Sequence, residues 1–286
     1  MELSIIIVNY NVEKLLDDCL ESLVTATKNI KTEIFVVDNN SSDDSCRMVR
    51  NKYSFVKLIE NKINVGFSKA NNQAIKQAKG DYVLILNPDT IVYEKTLDYC
   101  LEFSNQNKKS GALGVKMING NGDFLPESKR SFPSPLVSFY RIIGLSKIFS
   151  NSAIFNKYYL SFLDEDENHE VDTLAGAFMW IKKSILENVG YFDETFFMYG
   201  EDIDLSYRIQ KSGMTNYYLG KTSILHYKGE STNKLEYTYV LNFYGAMKIF
   251  SKKHFKEGYI FYNFFVNVLI LLHLIKLFFL RLIHKK

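Results

Sequence analysis

The chain has 286 residues, 47% hydrophobic and 15% aromatic, enough for one large domain or a domain with an appendage. A net charge of +3, with the basic residues scattered rather than blocked, argues against a nucleic-acid binder. Three cysteines, Cys19, Cys46 and Cys100, form no CxxC, so neither a disulfide framework nor a zinc site is expected and a reduced, cytosolic protein is.

The chain enters directly on "LSIIIVNYN", an apolar run too short for a secretory leader. "SIIIVNY" reads as a strand, and "VEKLLDDCLESLVTA" as a helix with Leu15, Leu16, Cys19, Leu20 and Leu23 at helical spacing. "TEIFVVD" is a second strand, followed by the polar turn "NNSSDDS" and a short helix. "VKLIEN" is a third strand, "GFSKANNQAIKQA" a helix and "DYVLIL" a fourth strand. This alternation, with strands apolar almost throughout, predicts an α/β fold: a mostly parallel central sheet with helices on both faces. Asn9, Asp38, Asn64 and Asp89 all follow strands, where ligands of such sheets bind. Neither GxGxxG nor a P-loop is present. Residues 120–170 are less regular, with a Pro-marked loop "FLPESKRSFPSP", an amphipathic "LVSFYRIIGLSKIFS" and a solvated acidic run "DEDENHE".

Several residues carry chemistry. Asp38 could accept hydrogen bonds from a nucleobase or ribose, or serve as a turn residue. In "ILNPDT", Pro88 stops the strand and presents Asp89 on a rigid turn, suited to Mg²⁺ or Mn²⁺ shared with substrate phosphates. "GEDIDLSYRIQKSG" puts Glu201 and Asp202 at a helix start, where the dipole holds a carboxylate ionised, as a cap or as a proton acceptor. Asp204 and Arg208 form an i,i+4 pair, and Gly213 is a plausible C-cap. His226 ends the apolar "TSIL" strand, as a core histidine or a second metal ligand, with Lys228 and Ser231 near enough to reach a phosphate.

Taken in order, "SIIIVNYN", "VVDNNSSD", "NVGFSKANN", "LNPDT", "GAFMWIKKSILENVGYFDETFFMYGEDIDLSYRIQKSG" and "HYKGEST" resemble glycosyltransferase family 2, inverting enzymes of the GT-A fold. The match runs over roughly residues 3–232. The resemblance implies a donor pocket of Asn9, Tyr10, Asp38, Asn64, Gly66, Asn72 and Asn87, and metal ligation by Asp89 and His226. It implies Asp202 as catalytic base, Glu201 as its support or an acceptor contact, Gly176 and Ala177 where donor and acceptor meet, and Trp180 packing beneath. The family's usual DxD is here Asn-Pro-Asp, which together with "KRSFPSP" looks like the rhamnosyltransferase branch. The expected donor is therefore dTDP-rhamnose, with UDP-sugars as alternatives, and the expected acceptor a glycan or polyprenyl-diphosphate-linked sugar. A non-catalytic nucleotide-sugar-binding scaffold is the alternative from another class.

The expected division is a GT-A domain over 1–235, with a nucleotide half (1–95) and an acceptor half (96–235), and an apolar helical tail over 236–286. From Tyr259 to Ile283 the tail is long enough to span a bilayer, which takes about 20 residues. Asn263, Asn267, His273 and Lys276 interrupt it without sharing one helical face, so a membrane-embedded or interfacial helix competes with a buried helix or homo-oligomer contact. The flanking lysines favour the cytoplasmic face of the inner membrane.

Overall fold

The computed structural model describes residues 1–134, 137, 148, 149, 152, 154, 156–227, 237–255 and 258–283. Its first part alternates as the sequence indicates: β1 (Leu3–Asn9), α1 (Glu13–Ala26), β2 (Thr32–Asp38), α2 (Ser45–Lys52), β3 (Val56–Glu60), α3 (Phe67–Ile75) and β4 (Tyr82–Leu86). There follow β5 (Thr90–Val92), α4 (Thr96–Gln106), β6 (Ser110–Ile118), β7 (His169–Glu170), β8 (Phe178–Lys182), α5 (Lys183–Val189), α6 (Glu201–Lys211) and β9 (Thr215–His226). Helices α7 (Tyr237–His254) and α8 (Tyr259–Ile283) come last. Most of the amphipathic stretch 136–150 lies outside the described residues.

One nine-stranded sheet runs β3-β2-β1-β4-β8-β6-β9-β5, with β7 against β9. The first four strands in that order are all parallel. Beyond β4 the sheet is mixed: β8 is antiparallel to both β4 and β6, β9 is parallel to β6, and β5 is antiparallel to β9. The expected parallel pattern therefore holds for β1 to β4 and not for the rest. The reason is where the chain enters β8. Asn87 N–H donates to Ala177 O at 3.0 Å, so β8 starts at the carboxyl end of β4 and must run back along it.

Both faces of the sheet are covered, which is why β1 is buried along its whole length. Ile5 and Ile7 join a core with Leu16, Cys19, Leu20 and Leu23 of α1 and Leu97 of α4. Ile6 and Val8 face the opposite way, toward Ala70 and Ala74 of α3, Ile185 of α5 and Leu205 of α6. Each fully buried leucine here contributes about 1.5–3 kcal/mol. Trp180 is buried in the first core with its ring against Tyr82, which agrees with a packing role.

The segment expected as a tail begins with a helix fastened to the domain. Phe196 packs with Ala246 and Phe250 of α7. Asp204, fully buried on α6, accepts from Arg208 at 2.8 Å and also meets Lys253 at 2.8 Å and His254 at 2.7 Å. Gly213 follows α6 at φ +86°, a left-handed residue of the kind that ends helices.

Helix α8 packs on α7 through Tyr262, Val266 and Leu277. Asn263 and His273, which look like interruptions in sequence, both meet α7. Ser251 Oγ donates to Asn263 Oδ1 at 2.8 Å, and Tyr244 Oη lies 3.5 Å from His273 Nδ1. The other face leaves Ile260, Phe264, Leu271 and Leu272 exposed. Among the described residues, no helix is long and apolar enough to cross a membrane.

Candidate active site

The carboxyl ends of β1 and β4, the start of β8 and the first turn of α6 enclose a cavity of about 370 Å³. Of the expected site residues, Tyr10, Asn64, Asn87, Gly176, Ala177, Glu201, Asp202 and His226 line it. Asn9, Asp38, Gly66, Asn72 and Asp89 do not, and each has a distinct reason.

Asn9 and Asp38 are register partners on β1 and β2. Asn9 Nδ2 donates to Asp38 Oδ1 at 2.8 Å, and Ser41 donates to Asp38 through both its N–H (2.8 Å) and its hydroxyl (2.6 Å). The carboxylate thus closes a turn, and its neighbour Asn39 faces the cavity instead. Gly66 adopts φ +84°, and a Cβ there would meet Phe197 O at 2.5 Å, so a side chain is excluded by both torsion and space. Asn72 is committed elsewhere. Its amide donates to Phe192 O and Glu194 Oε1, both at 2.9 Å, and accepts from Phe192 N–H at 3.1 Å, tying α3 to the loop before α6.

Asp89 is 3% exposed and sits just behind His226. The antiparallel pairing of Thr90 with His226 brings them together across 137 positions of sequence. His226 Nε2 lies 3.3 Å from Asp89 Oδ1 but not in hydrogen-bond alignment. Two ligands on adjacent corners of an octahedral Mg²⁺ shell, at about 2.1 Å each, would be about 3 Å apart. Among the described residues Asp89 Oδ1 is buried without a hydrogen-bond partner, an arrangement that natural cores rarely leave unused. The pair therefore fits a divalent cation. Among the described residues no third His, Cys, Asp or Glu joins them, leaving the remaining positions to water and substrate oxygens.

Asp202 stands on another part of the wall. Tyr199 (φ +71°) and Gly200 (φ +77°) are both left-handed, and this turn launches α6 with Glu201 and Asp202 in its first turn. Arg130 Nη2 donates to Asp202 Oδ2 at 2.6 Å, Gly176 N–H to the same oxygen at 3.2 Å, and Ile203 N–H to Oδ1 at 2.8 Å. The start of α6 and the guanidinium both set positive potential against this carboxylate. Burial would draw protons off Arg130, but the Asp202 charge beside it outweighs that and holds it charged.

Sequence reasoning missed Arg130. "KRSFPSP" signals the stretch but not its target 72 positions away. Lys129 and Arg130 are adjacent on extended backbone and point opposite ways. Lys129 Nζ is buried and donates to Leu160 O (2.9 Å) and Leu163 O (2.8 Å). Asn39, Phe67, Tyr158 and Tyr199 also line the cavity and were not anticipated. Lys228 and Ser231 lie outside the described residues.

Glu201 is buried, and Oε2 has no partner among the described residues. Burial first, and then the Asp202 charge, push its carboxyl up to about 8. The folded state thus binds this proton more tightly than the unfolded chain does, from the ordinary 4.5 up to about 8. The contribution to stability is complete below pH 4.5 and is lost as pH rises toward 8. Asp193 and Asp204 carry lowered values, so their effects fall below pH 4 and leave this window clear. Glu201→Gln is expected to remove a decline of a few kcal/mol between pH 5 and 8. Thermal unfolding from pH 5 to 8.5 tests this, and parallel curves for the two proteins would rule out a protonated Glu201.

The fold is that of a GT-A protein, with a parallel set of strands joined to a mixed set at the cavity. Residues 4–190 match the family model of Glycosyl transferase family 2, and the chain belongs to that family. It is 28% identical over 243 residues to the N-acetylglucosaminyl-diphospho-decaprenol L-rhamnosyltransferase of Mycobacterium tuberculosis, covering 81% of this chain and 78% of that protein. It is 31% identical over 209 residues to the poly-beta-1,6-N-acetyl-D-glucosamine synthase of Staphylococcus aureus, covering 71% of this chain and 44% of that protein. The mannosyltransferase PcManGT of Pyrobaculum calidifontis, solved with GDP-Man and Mn²⁺, superposes with a TM-score of 0.60 at 16% identity, over 90% of this chain and 65% of that one. This chain spans less than two thirds of the length of the latter two proteins.

Proposed function

We propose that the chain is an inverting, metal-dependent transferase moving a sugar from a nucleotide donor, L-rhamnose from dTDP-rhamnose in first place, to a polyprenyl-diphosphate-linked glycan. The observation that carries this reading is that two kinds of carboxylate stand at one cavity, Asp202 on its wall and Asp89 just behind the His226 that lines it. Asp89 is buried beside His226 with an oxygen that has no partner among the described residues, and Asp202 is held at the wall by three donors. The first suits a diphosphate with its cation, and the second suits a proton acceptor. The nearly full-length match to a rhamnosyltransferase acting on a lipid-linked sugar supports the choice of donor and acceptor.

On this reading, Asn64 and Asn87 offer hydrogen bonds to the nucleotide at the strand ends, beside the rings of Tyr10 and Phe67. Asp89 and His226 would hold Mg²⁺ or Mn²⁺, which when bound offsets charge developing on the departing diphosphate. Asp202 takes the proton of the acceptor hydroxyl as its oxygen attacks the anomeric carbon. A single displacement with a single base inverts that carbon. Arg130 and the Gly176 N–H hold the base in place, while Glu201, protonated at neutral pH, adds no second charge beside it. The exposed apolar face of α8 and the basic chain end would rest on the cytoplasmic face of the membrane, where such acceptors lie.

The test is nucleoside-diphosphate release from a panel of sugar nucleotides with Mn²⁺, Mg²⁺ or EDTA, in wild type and Asp89→Ala. Metal-dependent release from dTDP-rhamnose, lost in the variant, is the expected result. Release from a UDP-sugar alone would replace the donor and keep the mechanism. Release unaffected by EDTA would remove the cation from it.

A further inference from the structure

A second cavity, of about 290 Å³, lies between α7, α8 and the turn that launches α6. Its walls include Ile203, Phe243, Met247, Phe250, Tyr262 and Leu269, and no charged side chain lines it among the described residues. It is not separate from the active site. Tyr158, Tyr199, Gly200, Ile203 and Phe243 line both cavities, so the two share a wall directly beside Glu201 and Asp202.

We propose that this groove is the subsite for the hydrocarbon chain of a prenyl-diphosphate-linked acceptor. The inference rests on the glycosyl-transfer reading above and adds where the lipid of the acceptor goes. An acceptor sugar presented to Asp202 carries its diphosphate and then its chain away from the reacting hydroxyl, and the shared wall provides that exit. Apart from the tyrosines Tyr158, Tyr199, Tyr244 and Tyr262 the described wall is apolar, which suits a hydrocarbon better than a glycan or peptide carrying many donors and acceptors. The volume sits at the low end for ligand sites, which suits the first units of a chain and not a whole lipid. The continuation is also on hand. Leu269 lies on α8, whose outward face exposes Ile260, Phe264, Leu271 and Leu272 toward the surroundings.

The experiment uses the full chain and a farnesyl diphosphate carrying a diazirine at its hydrocarbon end. Photolysis is followed by mapping of the adducts and by competition. Adducts are expected within 243–250 and 262–269, with unlabelled farnesyl diphosphate competing about tenfold or more better than isopentenyl diphosphate or inorganic diphosphate. Met247→Trp, which fills the groove, is expected to lower labelling by about tenfold, with Leu269→Trp as a second variant if the first does not fold. Adducts confined to the exposed face of α8, or equal competition by inorganic diphosphate, would overturn the subsite. Nucleoside-diphosphate release measured on the same preparation separates the two ideas. Release without labelling of the groove overturns the subsite alone, and no release from any sugar nucleotide overturns both.

Discussion

Replacing Asp202 by Asn is expected to lower the transfer rate by about 10³-fold while donor affinity changes less than about twofold. The substitution keeps the shape of the side chain and the oxygen that can accept from Ile203 N–H, and removes the charge that, on the proposed mechanism, accepts the proton. A group that acts only in the displacement should leave donor binding alone, because the diphosphate end of the donor is held at Asn87, Asp89 and His226 on this reading. Calorimetric donor binding and single-turnover transfer separate the two quantities. A variant that retains more than about a tenth of wild-type transfer would dismiss Asp202 as the base. Loss of donor affinity in parallel with rate would make it a binding residue instead.

Arg130→Met should cost stability and activity together. Arg130 Nη2 bridges Asp202 Oδ2 (2.6 Å) and Leu174 O (2.7 Å), linking the loop after β6, the approach to β8 and the start of α6. Removing one partner of a buried pair costs about 3–5 kcal/mol, and because these side chains remain 12% and 14% exposed the lower end is expected. For a chain of this size that is a fall in Tm of roughly 6–10 °C. Transfer should fall by about 10²-fold through loss of orientation, with donor affinity retained. The double variant with Asp202→Asn should be less destabilised than the sum of the two single changes, since each removes the partner of the other. Strict additivity in the thermal unfolding of the four proteins would show that the pair is not coupled.

The alternating first part of the chain was legible in the sequence because its signals are local. Strands apolar throughout, such as "SIIIVNY" and "VVD", with amphipathic helices between them, imply a parallel sheet covered on both faces, and the structure has one. The rigid turn at Pro88 and the helix start at Glu201 were also readable, since each depends on neighbours in the chain. Asp38 and Asn72 show the limit of that reading. Their positions in motifs were plain, but the protein partners of each side chain depended on what folding placed opposite them: Asn9 and Ser41 in one case, the Phe192 loop in the other.

By itself, then, the sequence determined the alternating α/β half, the strand ends where polar residues gather, and the acidic first turn of α6. These follow from side-chain period, proline geometry and the helix dipole, all of which act within a few residues. Only the tertiary structure decided the pairing of Asp89 with His226 through β5 and β9, the reach of Arg130 to Asp202, and the reversal of β8. It alone also joined an apolar groove beside α7 and α8 to the cavity at the strand ends. Each of these sets residues tens of positions apart against one another. Such contacts are selected by the packing of whole layers, in which a buried charge is tolerated only where the fold brings it a partner.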